Sequence, residues 1–353
     1  MTIGNDLFQG EFKENPMSNA EIINQRRIIN GLDDGLMQAS PLKHPWARDI
    51  FKKMQKNNWV AEEIQFQRDY EQWSNNELSE TEKRAFERAL AFASNLDGLL
   101  TKTLSELIKP NITSPEVCLA LSRQIYEEAL HVDSYSCMIE ALGFDAEQIY
   151  GMYRRDQTLF YKNKTVLASV AKLGKPGFKT GTLENDKLFL EGCVTNLIFE
   201  GIFFYSAFLI FYVLGRHNKM PGSREMIQFI NRDEDLHVAL FVNIINTIKE
   251  EQPELWTEEV QQSFVQNIKN AIDMEVEWGL SCIGEGILGL TPVNLKQYLQ
   301  FIGDLRLSAI GLPRVWKTTN PFPWLDEMTQ GNMIEVNFFE GKVREYQTGT
   351  LEW

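Results

Sequence analysis

Where proline falls decides what this chain can fold into. Its 12 prolines lie near the ends or at isolated points, leaving proline-free runs at 46–109, 116–175, 177–220, 222–252 and 254–291. Proline lacks an amide hydrogen and its ring clashes with the preceding turn, so long helices are confined to such windows. Start and stop signals fall where those helices need them. Ser79-Glu80-Thr81-Glu82 reads as a capping box ahead of the apolar-periodic Phe86, Leu90 and Phe92. Ser114-Pro115 reads as an N-cap with proline in the first turn, and Gly143 as the stop. Alternating β-branched runs and hairpin turns are scarce, so little sheet is expected. The pattern predicts an all-α domain over 46–312, with long helices near 80–109, 115–143, 184–215, 223–250 and 257–285. Shorter helices are expected around 144–172 and 294–310.

The ends read differently. Residues 1–45 lack clear periodicity and are expected to form an extended arm, with no room for an added nucleotide-binding domain and no basic-then-apolar leader. Residues 313–353 read as a C-terminal segment and tail, too polar to fold alone and suited to docking on another protein through its closing hydrophobic residues.

Composition removes several function classes. A net charge of −14 argues against nucleic acid, which requires clustered Lys and Arg. The four cysteines, Cys118, Cys137, Cys193 and Cys282, are widely spaced, which reads as reduced thiols in a cytoplasmic protein. From Cys193 to Leu214 the only charged residue is Glu200, a stretch long enough to cross a bilayer. A lone carboxylate at the centre of a membrane helix is costly. Between strongly charged helical patterns, the stretch reads instead as the innermost helix of a soluble bundle.

Two of the four histidines sit in one repeated pattern, Glu128-Ala129-Leu130-His131 and Glu234-Asp235-Leu236-His237. Three residues along a helix turn the chain by about 300° and raise it by about 4.5 Å, so Glu and His share a face. Each motif also has a carboxylate on the preceding expected helix: Asp97 lies 31 residues before Glu128, and Glu200 lies 34 residues before Glu234. Inward carboxylates with two Glu-x-x-His helices are the way ferritin-like bundles hold a di-iron or di-manganese pair. Four carboxylates would neutralise two divalent ions, and oxygen donors with one imidazole per ion favour iron or manganese. Tyr135 follows His131 by four residues, placing a phenol on the same helix face. Glu200, Phe204 and Phe208 recur at helical spacing, with Ile230 ahead of the second motif, and read as a dry apolar lining. On the residues alone, iron storage and a di-iron oxidase acting on an organic substrate remain open alternatives.

Taken together, Asn95-Leu96-Asp97-Gly98, the first Glu-x-x-His with Tyr135, Ile198-Phe199-Glu200, Asn231-Arg232-Asp233-Glu234-Asp235-Leu236-His237 and Asn320-Pro321-Phe322-Pro323-Trp324 resemble the ordered motifs of the class I ribonucleotide reductase small subunit. The similarity runs from about Trp59 to the C-terminus. The resemblance implies a ferritin-like helical bundle with additional helices, working as a homodimer beside a large subunit that binds the C-terminal tail. It implies metal ligation by Asp97, Glu128, His131, Glu200, Glu234 and His237, by two iron or manganese ions. Oxygen or a flavoprotein-derived oxidant would supply the oxidising power, and Tyr135 would store the radical. Trp59, Asp233 and His131 would carry it from the metals, and Tyr346 would relay it across the subunit interface. One departure stands out: Gln124 occupies a position where many relatives carry Trp, four residues before the first ligand Glu.

Overall fold

The computed structural model describes residues 16–33 and 35–325. Twelve α-helices account for most of them: α1 (Asn19–Gln25), α2 (Pro45–Lys56), α3 (Gln67–Ser74), α4 (Glu80–Thr103), α5 (Pro115–Ala141), α6 (Ala146–Tyr150), α7 (Gln157–Val170), α8 (Leu183–Ile198), α9 (Tyr205–Arg216), α10 (Pro221–Glu251), α11 (Glu258–Ile283) and α12 (Pro292–Ala309). Among the described residues there is no strand, only one isolated bridge between Ile287 and Leu290.

The long helices begin where their caps dictate. Ser79 Oγ accepts the Glu82 amide while Glu82 Oε2 accepts the Ser79 amide at 2.6 Å, the reciprocal pair that starts α4. Ser114 caps α5 with Pro115 in its first turn, and Gly143 follows the helix at φ 70°, a left-handed conformation that suits glycine. α4 packs on α5 and α9, α5 on α2, and α10 on α8, α9 and α2, so that α4, α5, α8–α9 and α10 surround one axis. The apolar stretch from Cys193 to Leu214 lies buried in this bundle.

Three segments differ from the sequence reading. The helix expected over 184–215 is two helices joined by a π turn, Phe199–Phe203, a wider i→i+5 turn inside an apolar run whose periodicity gives no sign of it. The helix expected over 80–109 ends at Thr103 and continues as a π turn, Leu104–Ile108, and a 3₁₀ turn, Lys109–Asn111. The shorter helical stretch expected around 144–172 comprises α6, a 3₁₀ turn at Met152–Arg154 and α7, because Asp156 caps a new start. The N-terminal stretch is not wholly extended. α1 has its own capping box at Ser18, and Ile28, Ile29 and His44 are buried. His44 lies 2.9 Å from both Ser114 Oγ and Glu251 Oε1, which ties this stretch to α5 and α10.

Candidate metal centre

Helix spacing converts directly into a site. α5 presents Glu128 and His131, and α10 presents Glu234 and His237. α4 supplies Asp97 and the π turn supplies Glu200; all six side chains are fully buried. They fall into two sets, Asp97, Glu128, His131 and Glu234, and Glu128, Glu200, Glu234 and His237. Within each set the donor atoms lie within 4.8 Å of one another. Glu128 and Glu234 belong to both. Glu234 turns Oε1 toward His131 Nδ1 at 3.2 Å and Oε2 toward His237 Nδ1 at 3.0 Å. Glu128 divides its oxygens the same way, Oε2 at 3.8 Å from His131 Nδ1 and Oε1 at 3.1 Å from His237 Nδ1. Asp97 completes the first set at 3.7 Å from His131, and Glu200 the second at 3.6 Å from His237. The two sets would suit two cations: they share Glu128 and Glu234, and each adds one further carboxylate and one imidazole.

The donors fit such a pair. Both oxygens of Asp97, Glu128 Oε2, His131 Nδ1, Glu200 Oε2 and Glu234 Oε1 are buried without a hydrogen bond among the described residues. Buried polar atoms are ordinarily satisfied, and four buried carboxylates are costly without compensating charge. Burial, reinforced by the charges of Glu128 and Glu234, pushes Asp97 well above the usual carboxylate range, and Glu200 is raised by the same causes. Burial alone would lower His131. The neighbouring carboxylates of Asp233, Glu128 and Glu234 outweigh it and raise the imidazole well above its ordinary value; His237 is raised likewise, chiefly against burial by the charges of Glu234 and Glu128. Metal-free, the cluster therefore holds protons; two divalent cations would replace them.

The surroundings fix these side chains. His131 presents Nδ1 to the cluster and its far Nε2 to Asp233 Oδ2 at 3.4 Å, and the same oxygen accepts Trp59 Nε1–H at 2.7 Å. Trp59 is buried and stacks on Phe229, with ring centroids 5.3 Å apart. His237 mirrors this arrangement, its Nε2 3.0 Å from Glu127 Oε2, while Arg123 donates to Glu127 Oε1 at 3.0 Å. Such partners orient an imidazole and set its tautomer. Gln124 donates Nε2 to Glu200 Oε1 at 2.7 Å, and Asn196 donates to the same oxygen at 3.2 Å, leaving Oε2 to face His237.

Tyr135 is fully buried, and its hydroxyl makes no hydrogen bond among the described residues. Burial and the charges of Asp97 and Glu234 hold its pKa well above the ordinary phenol value, so the proton stays on Oη. Phe204 and Phe208 are buried and stack nearly parallel, centroids 5.4 Å apart and planes 8° apart. Their mutual spacing is helical, with Phe208 N–H donating to Phe204 O at 2.9 Å. The expected continuation from Glu200 to Phe204 is not, because the π turn intervenes. Ile230 is buried on α10, one turn before Glu234. Tyr346 and the tail lie outside the described residues.

The sequence reading missed Glu127 and Asn196. Glu127 stands four residues after Arg123, a spacing that ordinarily marks a surface ion pair, and Asn196 stands four before Glu200 in the apolar run.

Comparison with known proteins agrees with this geometry. Residues 36–321 match the family model described as ribonucleotide reductase, small chain. The chain is 35% identical over 350 residues to the ribonucleoside-diphosphate reductase subunit beta of Chlamydia pneumoniae, covering 99% of each chain. It is 32% identical over 333 residues to the subunit of the same name from Treponema pallidum, covering 92% of this chain and 91% of that one. Among solved structures it is similar to the ribonucleotide reductase R2 subunit from Clostridium botulinum, with a TM-score of 0.80 and 32% identity over 86% of this chain and 94% of that one. The chain therefore belongs to the ribonucleotide reductase small-chain family, the beta subunits of class I oxidoreductases.

Proposed function

We propose that this chain generates and stores a one-electron oxidant at Tyr135 and delivers it to a ribonucleotide reductase large subunit, where ribonucleotides are reduced to deoxyribonucleotides. The observation that carries the reading is the buried line Trp59–Asp233–His131, which ends on the ligand set. Iron storage or oxidation of a bound organic substrate has no use for such a line.

Asp97, Glu128, His131, Glu200, Glu234 and His237 would hold two ions, iron in the first instance and manganese in the second. When bound, the metal pair supplies oxidising power drawn from oxygen or from a flavoprotein-derived oxidant. The protein's own part is to hold and release protons and electrons. The Tyr135 phenol would give up one electron to that oxidant and its Oη proton to Asp97, whose carboxylate already acts on the phenol, becoming a neutral phenoxyl radical in a dry interior. Asp233 keeps Trp59 Nε1–H and His131 Nε2 on one oxygen, so an electron can leave Trp59 toward the site without a charge being stranded in the core. Trp59 is then the chain's exit toward the partner, with Tyr346 and the residues after it as the relay and anchor. The working form is a homodimer in the cytoplasm, with neither nucleic acid nor membrane as partner.

Deleting residues 340–353 tests the docking assignment. The truncated protein is expected to load metal as the full chain does and to support no nucleotide reduction with the large subunit. Undiminished reduction would contradict the assignment.

A further inference from the structure

Glu200 sits on the π turn Phe199–Phe203, and side chains from three other helices grip the backbone of that turn and the start of α9. Arg306 of α12 donates Nε to the Gly201 carbonyl at 2.9 Å. Lys162 of α7 donates Nζ to the Phe203 carbonyl at 3.4 Å, and Glu275 of α11 accepts the Ser206 amide at 3.1 Å. Lys162 and Glu275 are themselves a hydrogen-bonded ion pair with side-chain exposures of 1% and 0%. The Lys162 ammonium also lies 3.4 Å from the Phe92 ring centroid and 4.0 Å from that of Trp278.

A buried ion pair is a poor stabilising device, since its desolvation offsets most of its attraction and apolar packing often does as well. It is well suited to another task. A π turn shifts the backbone ladder, and in a core without water the displaced carbonyl and amide groups need side-chain partners. Gly201 shows how close the grip is. A Cβ there would lie 2.7 Å from Arg306 Nε and 3.3 Å from Val238 Cγ2, so Arg306 reaches the backbone only because a glycine follows Glu200.

We propose that Lys162, Glu275 and Arg306 are positioning residues that clamp the π turn and thereby fix the Glu200 carboxylate against Glu128, Glu234 and His237. The clamp rests on the dimetal reading above and extends it to residues that touch no ligand atom.

The test is a Mn(II) titration of the metal-free full chain, following free aqueous Mn(II) by electron paramagnetic resonance, with far-ultraviolet circular dichroism and melting of the same samples. Wild type is expected to bind two ions per chain, and E200A identifies which of them depends on Glu200. The variants are K162M/E275L, which removes both charges together so that neither is orphaned, and G201A, which displaces Arg306. Each is expected to keep its helical spectrum, to bind the Glu200-independent ion as wild type does, and to lose at least about tenfold in affinity for the other. A merely structural pair would lower the melting temperature and leave both affinities alone, and that result in folded K162M/E275L overturns the clamp. If the double variant does not fold, unchanged affinities in G201A overturn it equally. Wild type binding fewer than two ions would overturn the dimetal reading and the clamp with it, a failure visible before any variant is made.

Discussion

Trp59 and His131 share a single carboxylate oxygen: Asp233 Oδ2 accepts the indole N–H at 2.7 Å and lies 3.4 Å from the imidazole Nε2. The two residues are far apart in sequence, and their rings, 6.4 Å apart between centroids, are inclined by only 27°. Trp59→Phe keeps an aromatic ring and removes the donor. It is expected to leave Mn(II) binding and the Tyr135 radical unchanged, while nucleotide reduction with the large subunit falls to the level measured without the beta subunit. Asp233→Ala differs in also weakening metal binding, by about 10- to 100-fold, because His131 loses the partner that orients it.

Metal affinity should rise with pH. Asp97, Glu200, His131 and His237 are all raised in the metal-free protein, so ions must displace protons to enter. Proton release on Mn(II) binding, read by calorimetry in buffers of different ionisation enthalpy, measures this directly. The same shifts set the sign of stability. A raised imidazole contributes stability that is fully present below its ordinary value of 6.5 and is lost as pH rises through the folded value. Raised carboxylates act in the same sense from their own lower starting point. The metal-free protein should therefore melt progressively lower as pH rises above neutrality, whereas the loaded protein should gain over it.

Gln124 is the nearest polar neighbour of Glu200 Oε1. Gln124→Leu leaves that oxygen with Asn196 alone and frees the carboxylate to turn. Affinity for the Glu200-dependent ion is expected to fall about tenfold, with the other ion unaffected. Equal affinities in the titration would show that Asn196 suffices.

Stability should respond to packing more than to capping. Phe208→Ala removes a buried ring stacked on Phe204 and is expected to cost about 3–5 kcal/mol in denaturant unfolding, with a shorter radical lifetime as water gains access. Ser79→Ala removes the α4 cap and should cost about 1 kcal/mol without affecting the radical.

The cluster of four carboxylates and two imidazoles was legible because it depends on local spacing. Glu128 and His131, or Glu234 and His237, share a helix face wherever that helix goes, and the repeat of the pattern says that two faces meet. Helix starts at Ser79 and Ser114 were legible for the same reason. What escaped depends on contacts between distant segments. Glu127 looks like the surface partner of Arg123 until α10 brings His237 to its other oxygen. The π turn at Glu200 lies in a run apolar on all sides, where no period marks a break, and Lys162 and Glu275 are 113 residues apart. The short helices α2 and α3 went unread because neither starts at a capping side chain; α2 packs on α5 and α10, and α3 on α10.

The central claim is that Tyr135 holds the oxidant beside a filled dimetal site. The direct measurement loads metal-free protein with Fe(II), and separately with Mn(II), admits oxygen, and records the electron paramagnetic resonance spectrum beside a Tyr135→Phe control. The expected result is a tyrosyl signal that disappears in the control. A manganese-coupled signal that survives the control, or no persistent radical in protein shown by metal analysis to carry two ions per chain, would contradict the claim.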